Sequence, residues 1–241
     1  ILFRRVIFMK QNITEKRIAG FLIIVFILAL IPVLYIGKYN YPCADDFGFS
    51  AYSHIAWEET HSILQVVIGA LTTVKERWFG WQGTFSSIFV MALQPAVFGE
   101  AGYRLVPWIM IGAMSFSTLF LLYIIVRRVM GVRTSVYLGI SMIYLIFALE
   151  CMVDKTQGFF WFNGAAHYII PHSVALILTG LVIWLIKNEK HKFYKMVLAC
   201  IAAFFVGGGN YISALVTAIL FVSASIVAIY TRKKEYVKLI L

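Results

Sequence analysis

The sequence predicts an all-α fold, a polytopic bundle of transmembrane helices with amphipathic interfacial helices in its first outer loop. Three observations predict it. The 241 residues are 61% hydrophobic, with a mean hydropathy of +0.86, and only 13% are charged. An ordinary soluble domain is about 25% charged. Several apolar runs reach or approach the roughly 20 residues that cross a bilayer as a helix, and backbone groups in lipid must be satisfied internally. Finally, the 21 Lys and Arg, set against 11 Asp and Glu for a net charge of +10, fall in short clusters between the apolar runs. That distribution is the positive-inside pattern of a membrane protein and excludes a basic nucleic-acid face.

The first span is expected over Ile18 to Ile36, after Arg4, Arg5, Lys10, Lys16 and Arg17. This basic flank puts the N-terminus in the cytoplasm. The apolar stretch is long and has no small-residue cleavage site, so it reads as an anchor rather than a signal peptide. Residues 37–104 then form an extracytoplasmic loop. Within it Ile63, Val67, Ala70, Leu71, Val74 and Trp78 recur at helical spacing, while Glu59, Thr60, Thr73 and Glu76 fall on other faces. The pattern predicts a helix lying in the interface plane, followed by the interfacial aromatics Trp78, Phe79, Trp81 and Phe85.

Further spans are expected near Leu105–Val126, Val132–Leu149, Tyr168–Ile186, Met196–Val206 and Tyr211–Tyr230. The stretch Thr84 to Phe98 has two readings. If it crosses the membrane, the cluster from Arg127 to Arg133 falls outside, against the charge rule. If it dips into the outer surface, the clusters at 127–133, 187–195 and 232–238 all fall inside, and Gly207-Gly-Gly-Asn210 becomes a tight outer turn. The second reading is preferred. It gathers residues 37–104, the loop from Glu150 to His167 and the glycine turn on the outer side, where function is to be sought. The chain reads as a single transmembrane domain over 1–241. With no initiator Met and a final Lys238-Leu-Ile-Leu241 resembling the start of another span, it reads as the N-terminal part of a longer protein.

Carboxylates are scarce, and unpaired ones beside hydrocarbon are costly, so an acidic pair at the mouth of the first span points to chemistry, transport or a partner charge. Asp45 and Asp46 form that pair, within Tyr41-Pro-Cys-Ala-Asp-Asp-Phe-Gly-Phe-Ser50. The plainer reading is that one of them, Asp46 for preference, caps the helix that begins near Phe47. Cys43, Cys151 and Cys200 have no metal spacing. Cys43 and Cys151 lie on one side, which permits a disulfide; boundary thiols are the plainer reading.

Other residues on the outer side have two readings each. Asp154 is an acid of the second outer loop that also has Lys155 beside it. Arg104 opens a span from the outside, where it meets either a lipid phosphate or, by snorkelling, ordinary headgroups. Lys75 and Arg77 have Glu76 as an obvious partner. Trp161 and Asn163 suit a sugar, as an aromatic platform and an amide, although Trp is also an ordinary interface anchor. His167 and His172 flank Ile169-Ile-Pro171 and could meet sugar or diphosphate; satisfied interfacial histidines are the plainer reading, and their spacing is not a metal motif. Asn210 lines a cavity or only follows a tight turn, and Glu100 is a helix-end charge.

The order of these features, with Ala92-Leu-Gln-Pro-Ala-Val-Phe-Gly-Glu-Ala-Gly-Tyr-Arg-Leu-Val-Pro107 and a span closed by Tyr123-Ile-Ile-Val-Arg-Arg-Val-Met-Gly131, resembles the GT-C superfamily of membrane glycosyltransferases. Phe98-Gly99 and Arg104-Leu105 stand where those enzymes open their second span, with Pro107 one place late. The segments from Phe159 to Tyr168 and from Gly207 to Tyr211 look like a less-characterised bacterial branch. The resemblance implies a GT-C-like bundle in a bacterial cell membrane that takes a polyprenyl-phosphate-linked sugar as donor. Transfer to an extracytoplasmic acceptor would use Asp45 or Asp46, with Asp45 preferred, as general base. Arg104, Asp154, Trp161, Asn163, His167, His172 and Asn210 would line the substrate site. Membrane lipids are the other expected partners and nucleic acid is not one. No cofactor is implied, and a divalent cation is left open.

The competing expectation is a transporter or flippase for an envelope precursor, whose acids would bind protons or cations. Such charges normally sit at mid-membrane near broken helices. The acids here cluster at the outer boundary. A membrane scaffold is the third reading, and it would have no need for Asp45, Asp46, Arg104 and Asp154 to converge.

Overall fold

In the computed structural model, residues 2–187 and 192–231 are described, and they form helices joined by short turns, with no strand among them. Residues 188–191 of the basic cluster expected at 187–195, and the cluster expected at 232–238, lie outside the described residues. Helix α1 (Leu2–Ile36) contains the first long apolar run and stops at a single 3-10 turn, Gly37–Tyr39. Four helical stretches are long and apolar enough to cross a membrane: Ile13–Tyr39, Glu100–Val129, Phe162–Lys187 and Tyr211–Tyr230. These are compatible with a multi-pass membrane protein.

Two of the expected spans are shorter than that. Helix α6 (Thr134–Glu150) has 17 residues and α8 (Lys192–Gly207) has 16. At 1.5 Å per residue each reaches about 25 Å, less than the hydrocarbon thickness of about 30 Å. The stretch 84–98 is shorter still. It is the eight-residue helix α4 (Phe85–Ala92), a break at Leu93 and Gln94, and a 3-10 turn at Pro95–Phe98. Pro95 has no N–H to donate and so cannot extend α4. No single helix here is long enough to cross.

Between α1 and the next long helix, α2 (Asp46–Thr60) and α3 (Ile63–Gly80) form an antiparallel pair. The chain reverses at His61, which takes up the left-handed conformation with φ 49°. A 3-10 segment (Glu100–Leu105) then leads into α5 (Val106–Leu122). Helices α7 (Phe162–Lys187) and α9 (Tyr211–Tyr230) complete the order.

Two apolar cores hold the bundle. The larger lies among α1, α5, α6 and the start of α7, and includes Phe26, Val33, Met110, Met114, Leu145, Leu149 and Phe162. The smaller lies between α7 and α8, where Leu178, Leu181 and Leu185 meet Ala199, Ala202 and Val206. The small alanines of α8 let the two helix axes approach, the usual device where hydrophobic burial cannot drive association in lipid. Helix α1 packs along α6, and Glu15 pairs with Arg133 at 2.8 Å at the end remote from Asp46.

The opposite end collects the 37–104 segment, the 151–161 loop and the 207–210 turn. Asn40 Nδ2 donates to the Phe160 carbonyl at 2.8 Å, and Ser86 N donates to the Gly208 carbonyl at 2.8 Å. Gly208 must be glycine for this docking, because a Cβ there would stand 2.2 Å from the Phe85 ring. The amphipathic segments, the second loop and the glycine turn are thus one packed unit.

Candidate functional site

The local structure of the acidic pair begins with the backbone. Ala44 sits in the left-handed region at φ 49°, an uncommon and costly position for a residue with a Cβ. It turns the chain so that Asp46 N donates to the Cys43 carbonyl at 3.1 Å while the Asp46 carboxylate accepts from Cys43 N at 3.0 Å. This reciprocal pair closes a tight turn immediately before α2, with the Asp46 side chain taking up the Cys43 N–H.

The turn splits the two aspartates into different environments. Asp46 is fully buried at 0% exposure. Its carboxylate accepts from Cys43 N, from Asn163 N at 3.2 Å at the start of α7, and from the Tyr103 hydroxyl. Tyr103, also at 0% exposure, accepts from Phe162 N at 2.8 Å. Gln94 Nε2 reaches the Asp46 carbonyl at 2.8 Å and Ser50 Oγ at 2.7 Å, while Ser50 donates to the same carbonyl at 2.7 Å. One buried aspartate therefore ties together α2, the 93–105 segment and α7. Burial pushes its carboxyl above the ordinary range, the Asp45 charge adds to the rise, and the bonds from Tyr103, Cys43 and Asn163 oppose it. Burial, and secondarily the Asp46 charge, also raise the Cys43 thiol.

Asp45 occupies the N-cap position of α2, yet its side chain makes no capping bond. The residue expected to cap, Asp46, is instead the first helical residue. Asp45 is exposed and lines a cavity of about 340 Å³ with Trp81, Gln82, Trp161, Asn163 and His167. Asn163 is only 3% exposed, and neither atom of its amide has a partner among the described residues; Trp161 Nε1 likewise has none. His167 Nδ1 lies 3.0 Å from Ser87 Oγ and its ring is 6.2 Å from that of Trp81. The cavity thus combines a carboxylate, two tryptophans, a histidine and primary amides, a set suited to a polyhydroxylated ligand.

The structure brings together four of the sequence-selected residues in this cavity: Asp45, Trp161, Asn163 and His167. Asp46 stands behind it as its support. The other four lie elsewhere. Arg104 is exposed and lines a separate cavity of about 490 Å³. Asp154 caps its own loop, accepting from Thr156 N at 2.9 Å and Gln157 N at 3.1 Å, while Lys155 pairs with Glu150 at 2.8 Å rather than with Asp154. His172 lines a small cavity of about 170 Å³ between α7 and α9 with Ser213 and Thr217. Asn210 caps α9, accepting from Ile212 N at 2.8 Å and Ser213 N at 3.4 Å.

Arg77 gains weight. Its expected partner Glu76 accepts from the Tyr52 hydroxyl at 2.6 Å, and the Arg77 guanidinium lies over the Phe49 ring, 4.7 Å from its centroid. Phe49 lines the Asp45 cavity and meets Trp81 edge-on at 5.5 Å. Tyr103 and Gln94 were not singled out in the sequence. A tyrosine or glutamine inside a largely apolar segment needs a polar partner, and that is the signal they carried. All three cysteines are free, and no cluster of metal-ligating side chains occurs among the described residues.

No family model, no curated protein and no solved structure matches this chain.

Proposed function

We propose that the protein is an integral membrane glycosyltransferase that moves a sugar from a polyprenyl-phosphate donor to a hydroxyl acceptor, with Asp45 as general base. One observation carries the reading: among the described residues the Asp45 carboxylate has no hydrogen-bond or ion-pair partner, and it lines a cavity with Trp81, Trp161, Asn163 and His167, while its neighbour Asp46 is consumed by structure. An alcohol is a poor nucleophile at neutral pH. In the reaction the acceptor oxygen attacks the anomeric carbon, Asp45 takes the hydroxyl proton, and the bond from sugar to phosphate oxygen breaks. The phosphate leaves as an anion, which calls for a cation nearby. Arg77, on the face of Phe49, is better placed for that than Arg104, which lines a different cavity. The resemblance to GT-C enzymes supports the same assignment of the first outer loop.

A transporter would need acids along its spans. Among the described residues, the acids lie at the two ends of the bundle: Glu15 at one, and Asp45, Asp46, Glu58, Glu59, Glu76, Glu100, Glu150 and Asp154 at the other. The deciding experiment offers synthetic polyprenyl-phosphate hexoses and pentoses to vesicles containing the protein and endogenous acceptors. Release of free polyprenyl phosphate with the sugar on a new acceptor supports transfer. Movement of intact donor across the bilayer without cleavage supports translocation and removes the transferase reading.

A further inference from the structure

A second site stands apart from the Asp45 cavity and shares no lining residue with it. The end of α1 and the start of α5 touch at Gly37, where a Cβ would lie 3.0 Å from Pro107 Cγ. That contact sets Lys38 and Arg104 on one cavity of about 490 Å³, together with Asn40, Tyr41 and Glu100. Neither cation makes an ion pair among the described residues; the Lys38 ammonium lies 5.1 Å from the Tyr35 ring centroid. Two positive charges against one negative leave the cavity cationic.

Tyr39 and Asn40 also line an adjoining cavity of about 520 Å³, with Pro32, Val33, Ile36 and Phe160 on its walls and the mutually paired Glu150 and Lys155 at its polar side. Asn40 is fixed between the two by its bond to the Phe160 carbonyl. The cationic cavity thus continues into a largely apolar groove along the last turns of the first long apolar helix, whose only charges, Glu150 and Lys155, are paired with each other. Both cations stand where two apolar helices end, the level at which headgroups meet protein.

From this juxtaposition we infer that the Lys38–Arg104 cavity and the Pro32–Phe160 groove together bind one anionic phospholipid, its phosphate between the two cations and an acyl chain along α1. A free phosphate would leave the groove unused, and a neutral lipid would leave the charges unanswered. The inference stands independently of the glycosyltransferase reading.

Native mass spectrometry of the detergent-solubilised protein tests it, with phosphatidylglycerol and phosphatidylcholine of matched chains as probes. The wild-type protein is expected to retain one phosphatidylglycerol under conditions that strip phosphatidylcholine. The Lys38→Gln/Arg104→Gln pair, both exposed, is expected to weaken that retention about 30-fold, in keeping with the attraction of individual basic residues for anionic lipid. Lys16→Gln/Arg17→Gln, which removes equal charge at the opposite end, is expected to leave it unchanged. Equal losses in the two pairs, or equal retention of the two lipids, overturn the inference. So does displacement of the lipid by millimolar inorganic phosphate, which would mark a phosphate site that does not read the chain.

Discussion

The Tyr103 hydroxyl donates to the buried carboxylate of Asp46 and accepts from Phe162 N at 2.8 Å, so one phenol bridges an aspartate of α2 to the first turn of α7. With Asn163 N also on that carboxylate, the start of α7 is held by two points. Those two points set Asn163 and Trp161 against Asp45. The site's geometry therefore depends on residues that do not line it.

Removing the hub should cost stability, and removing its neighbour should not. Asp46→Ala leaves Cys43 N, Asn163 N and the Tyr103 hydroxyl buried without an acceptor, and is expected to destabilise by about 3 kcal/mol or more. Tyr103→Phe, which strands Phe162 N and removes one of the two donors on Asp46 Oδ2, should cost roughly 1–3 kcal/mol. Asp45→Asn, at an exposed side chain, should stay within about 0.5 kcal/mol. Thermal unfolding of the three variants in one detergent gives the ranking.

The raised carboxyl of Asp46 also fixes a sign for pH dependence. In the folded state it holds its proton above the ordinary value of 3.8. Its contribution is therefore fully present below that value and is lost as the pH rises through the folded pKa. The midpoint difference between the wild type and Asp46→Asn should be largest in acid and narrow as pH rises. A gap that widens with pH would show that the three donors outweigh burial.

Much of this architecture was legible in the sequence. Continuous apolar runs located the long helices, and charge counting chose the reading in which 84–98 does not cross; the eight-residue α4, broken before Pro95, is too short to do so. The acidic pair was visible because charges are rare in so apolar a chain. The division of labour between Asp45 and Asp46 was not visible. Adjacent aspartates look alike until Ala44 takes a positive φ and rotates one inward. Tyr103 and Gln94 were hidden for a related reason, since their partners lie tens of residues away and no local pattern announces them. Arg104 drew attention by standing next to a span, whereas Arg77 was set aside because Glu76 adjoined it. Only the Tyr52–Glu76 bond shows that the pairing does not form.

Arg77→Gln should reduce sugar transfer from a polyprenyl-phosphate donor about tenfold, chiefly by raising KM, while Arg77→Lys keeps the charge but loses the forked geometry and so part of the activity. Stability should change by only about 1 kcal/mol, the usual contribution of a cation–π contact whose arginine stays partly exposed. Steady-state kinetics and an unfolding scan on the same preparation separate the two effects.

Gly208→Ala should destabilise by roughly 1–3 kcal/mol, since the added Cβ would displace the Phe85 ring at 2.2 Å. Pairing it with Phe85→Leu should recover part of the loss. Additive losses in the double variant would mean that the two residues are not in contact.

The most direct measurement is sugar transfer by Asp45→Asn in membranes, compared with wild type at equal folded protein. The account predicts a loss of at least about 100-fold in kcat, the usual range for removing a general base, with donor binding retained. Full transfer by Asp45→Asn would contradict the assignment of Asp45 as the base and, with it, the central claim.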